Sequence, residues 1–222
     1  MSRTRLIALL MAFTAAGVSM ARGGIVDELD AAQLKELNGG GHVVVQQTVD
    51  GAPWPRIKIY ARVKASAEEV AAVFFDYAQA KTYIPNVLES RISKQVSPTS
   101  FEVYYEVEVP ILPDEQYTAL NQLQRLDDHG YEISWRLLKS LQAKSAVGSL
   151  RVEPGGDGGA VICYTNFVTP DSAMATLLRS MALSRMESTV DAIVQEVERQ
   201  KTQHADVLAK EVSALRAALA ER

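Results

Sequence analysis

The sequence predicts an α+β protein in which a curved antiparallel sheet wraps around one long C-terminal helix. Three observations indicate this architecture. Apolar and polar residues alternate in successive runs between residues 43 and 168, and a single capped helix interrupts these runs near residue 66. A long amphipathic segment follows from residue 171. Short turns between alternating strands favour an antiparallel meander, which curls and is covered by the helix.

Length and composition allow one sizeable hydrophobic core. The chain has 222 residues, of which 47% are hydrophobic, and its net charge is −4. These values fit one domain with attached ends. The Lys and Arg residues are scattered, so the basic patch that nucleic-acid binding requires is absent from the sequence. Cys163 is the single cysteine, which excludes an internal disulfide.

The N-terminus has the features of a secretory signal peptide at residues 1–21. Arg3 and Arg5 precede an apolar run over 6–18, and small residues end at Ala21. A retained membrane anchor is disfavoured because the run is shorter than the roughly 20 residues a spanning helix needs. We expect an exported protein that starts near Arg22, and a periplasmic one if the source is Gram-negative.

Residues 22–41 predict a short helix and a linker. Ile25, Leu29, Leu34 and Leu37 are spaced for one helix face, and three glycines follow at 39–41. We expect this helix to pack on the outside of the domain.

Eight strands are expected in the main domain, residues 42–200. The alternating runs cover residues 43–49, 56–64, 88–96, 101–109, 116–126, 131–138, 143–152 and 160–168. In the run 101–109, Val103, Tyr105 and Val107 share one face, which we interpret as the inner face. In the run 131–138, Ile133 and Trp135 do the same. The opposite face is expected to be wet. The polar residues assigned to solvent include Arg56, Lys58, Tyr60, Arg62, Lys64, Glu102, Glu106, Glu108, Glu132 and Arg136.

The capped helix begins after Ser66, because Ser66 and Glu69 form a capping box. Val70, Val73, Phe74 and Tyr77 follow at helical spacing and form its apolar face. Pro85 ends the helical passage.

Two connections are unusually apolar. Ile111 and Leu112 stand between prolines in the loop after the fourth strand, where hairpin loops are normally polar. They line the mouth of a cavity, or dip into a membrane surface, or fold back onto the core. Trp54 stands between two prolines, and either touches a membrane or a partner, or covers the sheet edge.

The C-terminal segment predicts a helix from 171 to at least 198. Met174, Leu177, Leu178 and Met181 fall on one side, and an apolar set from Leu183 to Val197 falls on the other. Residues 201–222 form a helical extension with a seam of Leu208, Val212, Leu215 and Leu219. This seam indicates either weak self-association or partner binding, or a solvated amphipathic extension, and the second is favoured at this length.

The chain resembles the START-like, helix-grip superfamily, also called SRPBCC, over roughly residues 43–200. The resemblance is carried by the segments 63–70 (VKASAEEV), 75–77 (FDY), 83–90 (YIPNVLES) and 109–114 (VPILPD), and by the helix from Asp171. This superfamily includes lipid-transfer START domains, the polyketide cyclase and dehydrase group, and coenzyme Q-binding proteins.

The resemblance implies an apolar cavity between the sheet and the C-terminal helix that holds a lipid, sterol, quinone or similar molecule. From the inner faces, the candidate ligand-binding residues are Phe74, Tyr77, Tyr105, Val107, Tyr117, Asn121, Trp135, Met174, Leu178 and Met181. Asn121 is the candidate polar contact, and Ile111 and Leu112 are the candidate cavity mouth.

The expected function is binding and transfer of a hydrophobic ligand, without catalysis. The sequence offers no triad, metal site or phosphate loop, and no cofactor is expected. Transient contact with a membrane surface is expected of such a carrier. One alternative is a cyclase or aromatase in which Tyr105, Tyr117 or Asn121 steers a polyketide chain. The other is an interaction module that binds no ligand and uses the C-terminal helix.

Overall fold

The fold is an eight-stranded antiparallel sheet with helices packed on its concave face. The computed structural model describes residues 23–109, 113–126, 129–171 and 179–221. The predicted signal peptide therefore lies outside the described residues, as do Ile111, Leu112, Met174 and Leu178. None of the helices in the described ranges is long and apolar enough to cross a membrane.

All eight predicted strands are present, with ends shifted by a few residues. They are β1 (Val43–Gln47), β2 (Arg56–Val63), β3 (Val87–Ser97), β4 (Ser100–Val107), β5 (Glu115–Arg125), β6 (Tyr131–Ser140), β7 (Ala143–Pro154) and β8 (Ala160–Pro170). Their order in the sheet is β1-β2-β8-β7-β6-β5-β4-β3, and every neighbouring pair is antiparallel. The last strand therefore pairs with the second, which brings residues far apart in sequence to one concave surface.

The helices within the described residues are α1 (Ala31–Asn38), α2 (Ala67–Phe75), α3 (Ala80–Tyr83), α4 (Arg179–Gln203) and α5 (Ala205–Ala220). Two 3-10 turns, Ile25–Glu28 and Tyr77–Gln79, precede α1 and α3. The predicted capping box begins α2: Ser66 Oγ accepts from the Glu69 N–H, and Glu69 Oε2 accepts from the Ser66 N–H at 2.7 Å. This cap fixes where the chain leaves β2 and turns over the sheet.

One hydrophobic core closes one end of the curved sheet. Leu123, Ile133 and Leu150 of three neighbouring strands are fully buried there against Val70 of α2 and Ile193 of α4. The predicted apolar face of α4, which also includes Met186, Val190 and Val197, packs into this core. The inner faces assigned from the alternation are therefore the faces that α2 and α4 cover.

The C-terminal segment is not a solvated extension, so that interpretation was wrong. The helix breaks at His204, and α5 folds back onto α2. Leu215 of the seam is 0% exposed in the core, and Arg216 forms a two-pronged ion pair with Glu68 of α2 at 2.6 and 2.7 Å. The seam therefore finds its apolar partner within the chain.

The outer face of the sheet is also less exposed to solvent than the alternation of residues predicted. Tyr60, assigned to solvent, is 2% exposed in a second cluster with Ile25, Leu37 and Cys163. The N-terminal helical segment, which packs on the outside as predicted, buries it there. Burial is the main reason that the pKa of the Cys163 thiol is raised, which makes it a poor nucleophile.

Charged groups on this outer face are paired rather than solvated. Glu132, also assigned to solvent, is 8% exposed and accepts a hydrogen bond from Gln124 Nε2 at 2.7 Å. Arg151, 5% exposed, lies 2.7 Å from a Glu28 oxygen and 2.9 Å from a Glu153 oxygen. Glu153 in turn accepts from the Ile25 N–H at 2.7 Å, which fixes the N-terminal segment against the sheet.

A buried polar cluster holds α4 and α5 together. Gln200 Nε2 of α4 donates to Glu196 at 3.0 Å and to Glu211 of α5 at 3.1 Å. Burial raises the pKa of Glu211 to about 7, with further contributions from the nearby charges of Asp76 and Glu196. Burial alone would raise the pKa of Glu196 as well, but hydrogen bonds from Arg199 and Gln200 bring it below its usual value.

This cluster makes folding stability depend on pH. The pKa of Glu211 is higher in the folded chain than in the unfolded chain, so folding is favoured while Glu211 stays protonated. Its contribution is complete below about pH 4.5 and is lost as the pH rises through about 7. Glu211→Gln should remove this loss of stability, because glutamine stays neutral at every pH. We expect the difference in free energy of unfolding between the variant and the wild type to shift in favour of the variant by on the order of 1 kcal/mol from pH 5 to pH 8.

Urea denaturation at the two pH values measures this difference. The matched control is Glu36→Gln, which makes the same change at an exposed position of α1 and should leave the pH dependence unchanged. An identical pH dependence in Glu211→Gln and wild type would contradict the assignment.

Candidate ligand-binding cavity

A cavity of about 370 Å³ lies between the concave face of the sheet, the α2–α3 segment and α4. This volume is in the range of small-molecule sites in proteins. Its wall is mostly aromatic and aliphatic. The lining residues include Trp54, Phe74, Tyr77, Tyr83, Ile84, Val87, Tyr105, Val107, Val109, Glu115, Tyr117, Ala119, Asn121, Trp135, Leu137, Ser140, Ala146, Tyr164, Asn166, Val168, Met181, Ala182, Arg185 and Thr189.

Strand alternation explains why these side chains converge. Tyr105 and Val107 of β4 and Tyr117 and Asn121 of β5 are spaced by even numbers of residues, so each pair projects to one face. Antiparallel register then places Tyr105 opposite Tyr117, and the two rings stack with centroids 5.1 Å apart. The aromatic wall of the cavity thus follows directly from the pattern on two neighbouring strands.

Small residues keep the space open. Trp135 of β6 pairs with Gly148 of β7, and a Cβ at Gly148 would stand 2.4 Å from the Trp135 ring and 2.5 Å from the Thr165 carbonyl oxygen. Glycine therefore allows the indole to lie across β7, where it contacts the Tyr164 ring with centroids 5.2 Å apart. Ala146, on the same strand, also lines the cavity without filling it.

Eight of the ten predicted ligand-binding residues line this one cavity. They are Phe74, Tyr77, Tyr105, Val107, Tyr117, Asn121, Trp135 and Met181. The other two, Met174 and Leu178, lie outside the described residues, as do the predicted mouth residues Ile111 and Leu112. Contact of any of these residues with a ligand stays a prediction.

Asn121 lies at the inner end of the cavity, next to the packed core. It pairs with Trp135 on β6, and Leu123, two residues further along β5, is fully buried. Its Nδ2 donates to the Ala119 carbonyl oxygen at 3.2 Å. Part of its hydrogen-bonding capacity is therefore used within its own strand.

Sequence reasoning missed several lining residues. Tyr164 and Asn166 share a face of β8 by the same alternation, and that face was not assigned. Arg185 lies one helical turn from Met181, so the spacing was available, but a charged residue on a helix is usually read as solvated. Trp54, left open between two roles, lines the cavity from the β1–β2 connection.

Five tyrosine side chains give the cavity a set of polar points. Tyr77, Tyr83, Tyr105, Tyr117 and Tyr164 all line it. Burial raises the pKa of each phenol well above its usual value, so the hydroxyls are neutral at physiological pH. The Tyr77 hydroxyl is buried without a hydrogen-bond partner among the described residues. Neutral phenols donate and accept hydrogen bonds, and they are poor general bases.

Two charged side chains lie on the lining, Glu115 and Arg185. Glu115 Oε1 accepts from Ser140 Oγ at 2.6 Å and from the Leu141 N–H at 3.2 Å, which fixes the β6–β7 turn. Its Oε2 is buried and has no partner among the described residues, and neither has Asn166 Oδ1.

The chain is similar to a known protein family. A family model described as polyketide cyclase / dehydrase and lipid transport matches residues 55–198. Curated protein sequences gave no match.

Solved structures with the same fold include both transfer proteins and a cyclase. A STAR-related lipid transfer protein from Xanthomonas axonopodis is 19% identical with a TM-score of 0.63, over 71% of this chain and 94% of that one. Human STARD10 is 19% identical with a TM-score of 0.58, over 75% and 74%. The Zhui aromatase/cyclase from Streptomyces sp. R1128 is 16% identical with a TM-score of 0.57, over 65% and 94%. At these identities the likeness concerns the fold, and it confirms the predicted helix-grip architecture.

Proposed function

The chain belongs to the polyketide cyclase / dehydrase and lipid transport family, and from this premise we propose that it binds and carries a hydrophobic ligand such as a lipid, a sterol or a quinone. The family match also confirms the START-like resemblance drawn from the sequence. The family includes transport proteins and cyclases, so the choice between them depends on the residues of this cavity.

The observation that carries the proposal is an unfilled apolar cavity beside a complete hydrophobic core. The core at the closed end already packs α2 and α4 onto the sheet. The cavity of about 370 Å³ therefore has an apolar wall that is not part of this core, and a bound ligand would cover that wall. Transfer of a hydrocarbon chain from water into such a site is favourable by about 0.8 kcal/mol per methylene.

The chemistry of the lining favours a carrier over an enzyme. Acyl, aldol and dehydration chemistry require a base or acid with a pKa near the working pH. The five cavity tyrosines are held neutral by burial. Glu115 is the single carboxylate on the described part of the lining, and its Oε1 is already engaged with the β6–β7 turn.

A cyclase or aromatase is the second candidate, and one observation favours it. Several neutral phenols converge on one cavity, where they could hold the carbonyl oxygens of a folded polyketide chain. Conversion of such a chain by the purified protein would decide for this candidate. The third reading, an interaction module that uses the C-terminal helix, is disfavoured because α5 buries its seam against α2.

We also propose that the protein acts after export. The basic start, the apolar run and the small residues before Arg22 support this, and a carrier of apolar molecules is useful in an aqueous compartment between membranes. N-terminal sequencing of the protein from fractionated cells tests it. If the source is Gram-negative, we expect a chain that begins near Arg22 in the periplasmic fraction. A chain that keeps Met1 in the cytosolic fraction would contradict export.

Filling the cavity should abolish ligand binding without unfolding the protein. Ala146→Phe adds a ring where the lining is open, so a ligand loses both space and contact area. We expect affinity for fluorescent apolar probes to fall at least tenfold, which corresponds to about 1.4 kcal/mol. Suitable probes are Nile red, dehydroergosterol and cis-parinaric acid, followed by fluorescence titration.

The matched control is Ala214→Phe, the same substitution on the exposed side of α5. It should bind the probes like the wild type. Thermal unfolding of both variants checks that each is folded. Unchanged affinity in folded Ala146→Phe would rule out this cavity as the binding site.

A further inference from the structure

One side of α4 presents a cation to the cavity, and this cation has no carboxylate partner among the described residues. Met181, Arg185 and Thr189 are spaced by four residues along α4, and all three line the cavity. The Thr189 hydroxyl donates to the Arg185 carbonyl oxygen at 2.8 Å, so this hydroxyl is already used. Arg185 is a half-buried residue, and no carboxylate of the described residues lies within ion-pair distance of its guanidinium.

A second unpartnered donor lines the same cavity. Trp54 Nε1 is buried and has no acceptor among the described residues. Trp54 belongs to the connection that follows β1. The start of α4 is tied to β1 through Arg179 Nη2, which donates to Gln46 Oε1 at 3.2 Å. Indole and guanidinium groups donate hydrogen bonds and accept none, so both groups require an acceptor.

The negative charge of the lining lies on other elements. Glu115 is the first residue of β5, whereas α4 packs on β2, and three strands separate β2 from β5 in the sheet. The cavity thus offers a cation and a donor from α4 and the β1–β2 connection, and a carboxylate from the opposite part of the sheet. An anionic group would be attracted to the first side and repelled from the second.

We infer that the ligand is an anionic amphiphile whose carboxylate or phosphate is bound by Arg185, with the Trp54 N–H as a second donor. The hydrocarbon part lies among the aromatic side chains of the inner cavity, such as Tyr105 and Trp135. A guanidinium matches the planar oxygens of carboxylates and phosphates and forms charge-assisted hydrogen bonds with both. This inference rests on the proposed function and specifies the ligand class of the same cavity.

Competition among ligands that share one tail tests the head group alone. Oleate, oleyl phosphate, oleyl alcohol and methyl oleate are each used to displace Nile red, a neutral reporter, from the full chain. We expect at least one of the two anions to compete tenfold or more better than the alcohol and the ester. Stronger competition by oleate would indicate a carboxylate head group, as in a fatty acid. Stronger competition by oleyl phosphate would indicate a phosphate head group.

Substitutions then assign the preference to Arg185. In the Arg185→Gln variant, all four compounds should displace Nile red equally well. The Arg185→Lys variant should keep part of the preference for the anions. Lys210→Gln is the control, because it removes one positive charge at an exposed residue of α5 that does not line the cavity. It should keep the full preference. Trp54→Phe, which keeps an aromatic ring and removes the N–H, should reduce the preference several-fold and gives a second test if Arg185→Gln does not fold.

Two results would overturn the inference. One is equal competition by all four compounds in the wild type. The other is an anion preference that survives in both Arg185→Gln and Trp54→Phe. Failure of Nile red and all four compounds to bind would instead contradict the proposed function itself.

Discussion

The structure depends on how α4 lies across the concave face of the sheet. Its C-terminal half buries Val190, Ile193 and Val197 completely against the sheet and α2. Its N-terminal half presents Met181, Arg185 and Thr189 to the cavity instead. One helix therefore supplies both the packing that stabilises the fold and one wall of the site. Because one continuous helix spans both halves, its packing in the core also positions the cavity wall.

The elements around α4 hold it in this position from two sides. At its C-terminal end, the Gln200 amide joins Glu196 to Glu211, and α5 returns along α2 through Leu215 and the Arg216–Glu68 ion pair. At its N-terminal end, Arg179 contacts Gln46 at the end of β1. The helix is thus anchored at both ends, and the space between its N-terminal half and the strands is preserved for an occupant.

The strands and the cavity wall were predictable from the sequence because they depend on local pattern. Alternation gives each strand its inner face, so residues such as Tyr105, Tyr117 and Trp135 could be assigned to a common surface before any pairing was known. The capping box at Ser66 likewise fixed the start of α2. Short turns then left few ways to arrange the strands.

The features that escaped prediction depend on contacts between distant segments. Glu132 and Tyr60 alternate like solvent-facing residues, yet both are buried. Tyr60 is buried with Ile25 and Leu37 of the N-terminal segment, which stand 35 and 23 residues earlier in the chain. The seam of α5 has the spacing of a free amphipathic helix, and its partner α2 is more than 130 residues away. In the sequence, Arg185 resembles a solvent-exposed helix residue. Only the fold shows that it faces the cavity. In each case the local pattern predicts the secondary structure correctly, but the segment that packs on the residue is distant in sequence.

The proposed function requires that this cavity holds an apolar molecule in the cell. Native mass spectrometry of the protein purified from the cells that make it, combined with organic extraction and analysis of the extract, detects such a molecule. We expect a complex whose mass exceeds that of the chain by one apolar molecule, recovered in near-stoichiometric amount in the extract. A chain that carries no such molecule, and that takes up none when offered lipids, sterols and quinones, would contradict the proposed function.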